Sequence, residues 1–225
     1  MKSDAATSKL ARKCLTAMEE SVISGMESIN VCVCSFSERG DVLSQWRAYG
    51  GATSGFAVGF SGAALREVSE EHGWLVPVIY DGVQQRRLVR KLLGDTLEEN
   101  LNEYHHEKVV GVGNLFAYLY RYAPILKHHS FEEEREWRII TRPLLCSNDR
   151  FGYRPGGSML IPYFRLPLAG DKTLGIREIV IGPTPHPGQS RHSVDGLLLK
   201  HHIPTTTIAS EAVRIHSSEI PYRSW

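Results

Sequence analysis

Hydrophobic positions recur along the chain with two different periods, and together they predict helices followed by strands. Apolar residues return every four positions across 4–28, with charged residues between them, which predicts an amphipathic N-terminal helix. Residues 30–36 alternate Val and Cys with polar neighbours, as in a β-strand. A short helix is predicted over 42–49, with Asp41 as its N-cap and Gly50 at its end.

The rest of the pattern predicts an α+β fold, with a central, mostly antiparallel sheet and flanking helices. The bulky residues of the segment 109–127 would occupy most of the circumference of a helix, so we expect this helix to be central and covered on all sides. Residues 146–157 are rich in Asn, Asp, Gly and Pro and predict a surface loop. Strands are expected at 55–60, 75–80, 137–142, 159–166, 178–181, 205–209 and 213–216, and further helices at 61–72, 83–107, 109–127 and 190–201.

The composition indicates one ordinary globular protein. The chain has 225 residues, of which 42% are hydrophobic and 23% charged, and no stretch reads as a linker. We therefore expect a single domain over 1–225, with an N-terminal helix at 1–29 and a core at 30–225. No apolar run approaches the roughly 20 residues needed to cross a bilayer, and no signal-peptide pattern begins the chain. A cytoplasmic location without a membrane partner is expected.

The net charge and the spacing of possible metal ligands argue against two common classes of protein, those that bind duplex DNA and those that bind a metal ion. A net charge of +1 gives no overall case for a duplex-binding protein. Cys32 and Cys34 lack a second close cysteine pair, and the histidine pairs are adjacent, so that their side chains point apart. No metal site is expected. The chain also lacks the glycine-rich phosphate loops and the nucleophile elbow that mark common nucleotide enzymes and hydrolases.

A first candidate site lies between the strand at 30–36 and the helix at 42–49. Ser35 and Ser37 would share one strand face, while Trp46 and Tyr49 are three residues apart on one helix face. Aromatic rings beside hydroxyl groups can hold a flat ring and a polar handle. The alternative is that Ser37 only caps a turn and that Trp46 fills the core.

A second candidate site lies in the charged segment that runs from Lys127 to Arg138. If a strand begins near Glu134, then Glu134, Glu136 and Arg138 project to one face. Two carboxylates and a guanidinium could then hold a ribose hydroxyl or stabilise developing positive charge. The alternative is an exposed, charged edge strand whose residues form ion pairs with each other.

A basic run, Arg86 to Lys91, lies on a predicted helix. Arg86, Arg87 and Arg90 can line one side of that helix while leucines pack on the other. Such a side could contact nucleic acid, and the alternative is a solvated helix face.

Several short motifs follow one another along the chain. They are Ser-Phe-Ser-Glu at 35–38, Leu-Ser-Gln-Trp-Arg-Ala-Tyr-Gly at 43–50, Gly-Phe-Ala-Val-Gly-Phe at 55–60, the segment 127–138, Glu-Ile-Val-Ile-Gly-Pro at 178–183 and Ser-Glu-Ile-Pro-Tyr-Arg at 218–223. Taken in order, these motifs resemble the domain-of-unknown-function family 2971, which is mostly bacterial. The resemblance covers the chain from about residue 30 to its end and implies a shared fold and pocket. It departs from the family at the start, where an aromatic-basic strand and an Asn-Asp-Pro loop are missing.

The order of these segments is also similar to the organisation of ADP-ribosyltransferases, although the usual first His or Arg has no counterpart. This likeness implies NAD as a substrate, with Glu136 on the nicotinamide ribose 2′-hydroxyl and Glu134 orienting an acceptor. Trp46 or Tyr49 would stack on nicotinamide. Other residues are expected to bind the phosphates of the ligand or to set the polarity of the pocket. These ligand-binding candidates are Ser35, Ser37, Arg47, Lys127, Arg138, Tyr222 and Arg223.

Two functions are therefore expected as alternatives. One is an NAD-using, ADP-ribosyltransferase-like enzyme of a toxin or defence system, acting on a protein or nucleic-acid acceptor. The other is a non-catalytic module of a defence system that binds a nucleotide or nucleic acid. A metal-dependent nuclease would need a carboxylate and histidine cluster that the spacing does not show.

Overall fold

The computed structural model describes residues 12–13, 16, 29–50, 55–103, 112–145, 147–167, 175–205 and 212–221. Helices and strands both occur throughout this part of the chain, which confirms the α+β class. The helices are α1 (Leu43–Tyr49), α2 (Gly62–His72), α3 (Gly82–Glu103), α4 (Val112–Tyr122) and α5 (Pro187–Lys200), with short 3-10 helices at Ala123–Ile125 and His129–Glu134. The strands are β1 (Ile29–Asn30), β2 (Val33–Ser37), β3 (Phe56–Phe60), β4 (Gly73–Pro77), β5 (Glu136–Thr141), β6 (Leu144–Leu145), β7 (Phe151–Pro155), β8 (Leu160–Phe164), β9 (Ile176–Ile181) and β10 (Arg214–Ser217).

The chain separates into two compact units, each assembled from several stretches of sequence. Unit 1 consists of Met1–Ser35, His72–Glu133 and Arg138–Arg165. Unit 2 consists of Phe36–Glu71, Glu134–Trp137 and Leu166–Trp225. The expectation of one domain over the whole chain stays a prediction.

Unit 2 is built on a three-stranded sheet with β9 in its centre. β10 pairs with β9 in parallel, and β3 pairs with it antiparallel on the other side. The apolar run at the end of β9 is buried, as expected for a strand with a neighbour on both sides. Together with apolar side chains of α5, it forms the core of the unit, which consists of Ile179, Ile181, Val194, Leu198, Val213 and Ile215.

Residues of unit 1 take part in three hydrogen-bonded groups of strands. The order β2-β5-β4 forms one sheet, β7 and β8 pair antiparallel, and β1 pairs with β6. Ile139 and Ile140 of β5 are each 1% exposed, so this strand lies at the centre of its core. A Cβ at Gly73 would overlap the Ile140 carbonyl, which explains why β4 begins with glycine.

Several predicted elements are confirmed, with shifted boundaries. The helix expected at 42–49 is α1, the strand at 55–60 is β3, and the helix at 190–201 begins earlier, at Pro187. The loop predicted at 146–157 is wrong in part, because β7 occupies Phe151–Pro155. A strand paired to a neighbour tolerates Gly and Pro at its end, which local composition cannot reveal.

The expectation of a helix covered on all sides is wrong for the described part of α4. Leu115 is buried, but Phe116, Tyr118 and Tyr120 are only half-buried and Arg121 is exposed. Tyrosine combines an apolar ring with a polar tip, so a tyrosine-rich surface can remain partly wet.

Two other predicted elements fall largely outside the described residues. Of the N-terminal helix, Arg12, Lys13 and Thr16 are described and are helical, with the Thr16 hydroxyl donating to the Arg12 carbonyl at 3.1 Å. The strand expected at 205–209 lies outside them except for its first residue. Within the described ranges, no helix has the length and apolar character required to span a membrane.

Candidate functional site

A small cavity lies in unit 2 beside helix α1 and the first residues of β3. Its volume is about 210 Å³. Three aromatic side chains and an amide side chain contribute to its wall, so it offers both stacking surface and hydrogen-bonding groups. The lining residues are Gly40, Gln45, Trp46, Tyr49, Gly50, Phe56 and Ala57.

The indole of Trp46 is held in place by Asp41. Its Nε1–H donates to Oδ1 of Asp41 at 2.6 Å. The same carboxylate accepts hydrogen bonds from the Ser218 hydroxyl at 2.6 Å and from the Glu219 backbone N–H at 2.8 Å. Asp41 therefore ties the tryptophan of α1 to the segment after β10, and these three donors share one carboxylate.

The charge of Asp41 is favoured by this arrangement. Partial burial raises the pKa of the carboxyl, but hydrogen bonds from Ser218, Trp46 and Glu219 outweigh burial, and His216 adds a favourable charge. The pKa of Asp41 consequently lies below its ordinary value. The prediction that Asp41 caps α1 is wrong, since the N-cap is Val42, which makes no side-chain cap.

Glycines let the backbone approach the same indole ring. The Gly182 N–H donates to the Gly55 carbonyl at 2.9 Å, which brings the end of β9 against the start of β3. A Cβ at Gly182 would lie 2.9 Å from Cε3 and Cζ3 of Trp46. No side chain other than hydrogen fits there without displacing the ring. Trp46 is therefore fixed along its edge by Asp41 and against its six-membered ring by Gly182.

The other aromatic groups of the cavity are open to solvent. Tyr49 is 74% exposed and Phe56 is 50% exposed, and Arg47 is also exposed on the same helix as Tyr49. Burial for area does not explain a tyrosine with three quarters of its surface in water. One fixed ring, two exposed rings and the Gln45 amide can together bind a flat molecule that has polar edge groups.

The second predicted site is arranged differently from the expectation. Glu134 ends the 3-10 helix His129–Glu134, and Arg135 adopts φ 42° before β5 begins at Glu136. The prediction that Glu134 shares a strand face with Glu136 and Arg138 is therefore wrong. The left-handed backbone at Arg135 breaks the alternation on which that face depended.

Polar groups near the end of β2 hold this junction. The Ser37 hydroxyl donates to the Glu134 carbonyl at 2.8 Å, and the Glu38 N–H donates to the Arg135 carbonyl at 3.2 Å. The Glu38 carboxylate accepts from Trp137 Nε1 at 2.8 Å. The Ser37 hydroxyl also accepts from the Arg39 N–H at 3.1 Å, so Ser37 caps a turn, as the structural alternative predicted, and in addition binds the Glu134 carbonyl.

The two candidate catalytic carboxylates differ in exposure. Glu136 is 6% exposed at the start of β5, whereas Glu134 is half-buried at the end of its 3-10 helix. Both belong to unit 2. Burial at this level restricts the access of a substrate to Glu136 more than to Glu134.

The remaining candidates are distributed elsewhere. Ser35 is exposed on β2 in unit 1. The Lys127 ammonium lies 4.7 Å from the ring centre of Phe131, and Nη1 of Arg138 donates to the Pro124 carbonyl, all within unit 1. Tyr222 and Arg223 lie outside the described residues. In the part of the chain that is described, no group of three or more His, Cys, Asp or Glu side chains could hold a metal ion.

Sequence reasoning missed four members of the unit 2 site: Asp41 as the partner of Trp46, Gln45 as a polar group of the cavity wall, Phe56 as an exposed ring, and Gly182 as a packing surface. A signal for three of them was present, because Gln45, Phe56 and Gly182 all lie in motifs that carried the family resemblance. These motifs all contribute residues around the indole ring of Trp46.

The fold and the site thus define an α+β protein with a small aromatic cavity. Residues 45–139 match the family model described as Protein of unknown function (DUF2971), which confirms the resemblance over that range. The match begins inside α1 and ends inside β5, so it includes Trp46, Tyr49 and Glu136. No curated protein and no solved structure matches the chain.

Proposed function

We propose that unit 2 binds a small molecule through one flat ring, of the nucleobase or nicotinamide type, in the cavity beside α1. The observation that carries this proposal is the pairing of an immobilised Trp46 with a largely exposed Tyr49. A ring that is already fixed loses little conformational freedom when a ligand stacks on it, so more of the stacking energy appears as affinity.

The size of the cavity limits what it can enclose. Its volume of about 210 Å³ is below the range of about 300–1,000 Å³ that is typical of pockets for drug-sized ligands. One ring fits this space better than a whole dinucleotide. The ribose and phosphates of a nucleotide would then extend into solvent, where the exposed guanidinium of Arg47 can pair with a phosphate.

A second candidate function is cleavage of NAD with transfer of ADP-ribose to a protein or nucleic-acid acceptor. It is favoured by the left-handed backbone at Arg135, because strained non-glycine residues concentrate at functional sites. Glu136 and Glu134 flank that residue and are the proposed catalytic pair. We favour binding over cleavage because Glu136 is almost fully buried.

Calorimetric titration with nicotinamide, AMP and NAD tests the binding proposal, and loss of NAD over time tests the cleavage proposal. We expect saturable binding of at least one of these ligands in the micromolar to millimolar range. Absence of binding by all three at millimolar concentration contradicts ring binding. Binding of NAD without its consumption, with cell extract present as a source of acceptor, rejects the transferase function alone. The cytoplasmic location and the role in a toxin or defence system stay predictions.

A further inference from the structure

A separate feature of unit 1 is the basic first half of helix α3. Arg86, Arg87 and Arg90 are all exposed, while the acidic residues of this helix fall in its second half. The charges of α3 are therefore segregated along its length. The acidic residues are Asp95, Glu98, Glu99 and Glu103.

The three arginines have no carboxylate within their reach on the helix. Partners on a helix surface lie three or four residues apart, and no acidic residue stands at those distances from Arg86, Arg87 or Arg90. Lys91 differs, since its ammonium forms an ion pair with Asp95 at 2.7 Å. Arg90 is also four residues from Arg86 and three from Arg87, so the like charges repel each other. A bound anion would relieve that repulsion.

The helix presents these side chains from a firmly anchored first turn. The Gln84 N–H donates to Oδ1 of Asp81 at 2.6 Å, which caps the helix. The Gln85 amide donates to the carbonyls of Ile79 and Lys127, both at 2.7 Å. Because these bonds fix the first turn, they also fix the helix face from which the arginines project.

We propose that the exposed face formed by Arg86, Arg87 and Arg90 binds the phosphate backbone of a nucleic acid. A guanidinium group donates two parallel hydrogen bonds to a phosphate and is weakly hydrated, which makes arginine the preferred residue for this contact. Arg86 and Arg90 stand about 6 Å apart along the axis, at about 1.5 Å of rise per residue, so they can reach neighbouring phosphates.

The surroundings of the arginines favour a nucleic acid over a lipid surface. Helices that lie on membranes carry a continuous apolar face with Trp, Phe or Leu directed into the lipid. On α3 the half-buried leucines Leu88 and Leu92 are turned away from solvent, and Thr96 on the same side is fully buried. The outward face instead mixes the arginines with the exposed aliphatic residues Val83, Val89 and Leu93, without an aromatic ring.

The test measures binding of the full chain to a fluorescent duplex DNA and to a single-stranded RNA, by anisotropy over a series of salt concentrations. The parent protein should bind at least one of them at low salt. For B-DNA, the slope of log affinity against log salt should be about −2.7 if three phosphates are neutralised. Replacing Arg86, Arg87 and Arg90 with Gln should lower the affinity about tenfold or more and flatten the slope toward zero.

A matched triple variant removes the same charge elsewhere. Arg150, Arg154 and Arg177 are also exposed, and their replacement with Gln should change the affinity by no more than about twofold. If the α3 triple variant does not fold, as judged by circular dichroism, Arg90→Gln alone should reduce the slope for B-DNA by about 0.9.

Three results would overturn the proposal: no binding to either nucleic acid at low salt, equal losses in the two triple variants, or binding to anionic lipid vesicles without binding to nucleic acid. None of these results depends on the cavity in unit 2, so they leave the ring-binding proposal untouched.

Discussion

The indole N–H of Trp46 donates to Oδ1 of Asp41 at 2.6 Å, and this bond couples helix α1 to the segment that follows β10. Ser218 and Glu219 donate to the same carboxylate, so the indole is oriented by a group that is itself held by the segment after β10. The wall of the cavity thus depends on contacts made far from it in the sequence.

Asp41→Asn should destabilise the protein by about 1–2 kcal/mol, since the amide places a donor where the carboxylate accepts. Three donors converge on the two carboxylate oxygens of Asp41. In either orientation of an asparagine amide, its NH₂ group would therefore face at least one of these donors. Urea denaturation measures the change. Glu219→Gln is the control, because it removes a neighbouring charge and keeps the backbone N–H. Equal effects of the two substitutions would show that charge, and not the hydrogen bonds, matters.

The stability difference between the parent and Asp41→Asn should depend on pH. The pKa of Asp41 is lowered in the folded protein, so its charge contributes stability above the unfolded value of about 3.9, and this contribution disappears as pH falls through the lower, folded pKa. The difference should shrink as pH falls below about 4. Denaturation at several acidic pH values measures it, and a difference that grows as pH falls below about 4 would contradict this assignment.

Gly182→Ala should displace the Trp46 ring and weaken both stability and ligand binding. The added Cβ would lie 2.9 Å from two ring carbons and 2.9 Å from the Gly55 carbonyl oxygen. Overpacking of this kind costs about 1–3 kcal/mol. Gly196→Ala is the control, because nothing lies within 4 Å of its added Cβ in helix α5, where alanine should stabilise by about 0.5–1 kcal/mol. Thermal unfolding and calorimetry compare the pair; a harmless Gly182→Ala would mean that the ring has room to move.

Glu136→Gln tests whether the buried carboxylate takes part in any turnover of NAD. Glutamine keeps the volume and one acceptor oxygen but loses the charge that would stabilise the breaking glycosidic bond, so turnover should be abolished while binding changes little. Glu133→Gln, at an exposed position of the 3-10 helix, should be nearly silent. Single-turnover assays with labelled NAD separate rate from affinity. Unchanged turnover in Glu136→Gln would remove this residue from the catalytic pair.

Elements with a clear local period could be predicted from the sequence. The apolar run of β9 and the helix over 43–49 each follow from side-chain spacing within the element itself. The aromatic pair Trp46 and Tyr49 was also identified as a candidate site on this basis. Their proximity depends only on the helical repeat, which local sequence sets.

The details that failed depend on partners distant in the chain. The strand was expected to start near Glu134, but Ser37, 97 residues earlier, binds the Glu134 carbonyl and stabilises a left-handed turn at Arg135. Asp41 was assigned as a cap because a helix start is its commonest local partner, whereas two of its three actual partners, Ser218 and Glu219, lie 177 and 178 residues later. Neither contact leaves a periodic signal.

The most direct measurement of ring binding is calorimetric titration of Tyr49→Ala with AMP and NAD beside the parent protein. Tyr49 is 74% exposed, so the substitution should leave the unfolding free energy almost unchanged. Loss of a stacking contact worth about 1–3 kcal/mol should lower the affinity for the ligand about 5- to 150-fold. Tyr153→Ala, at a tyrosine that is 53% exposed in unit 1, should bind as the parent does. Parent-like affinity of Tyr49→Ala, or an equal loss in Tyr153→Ala, would contradict a ligand site beside Trp46.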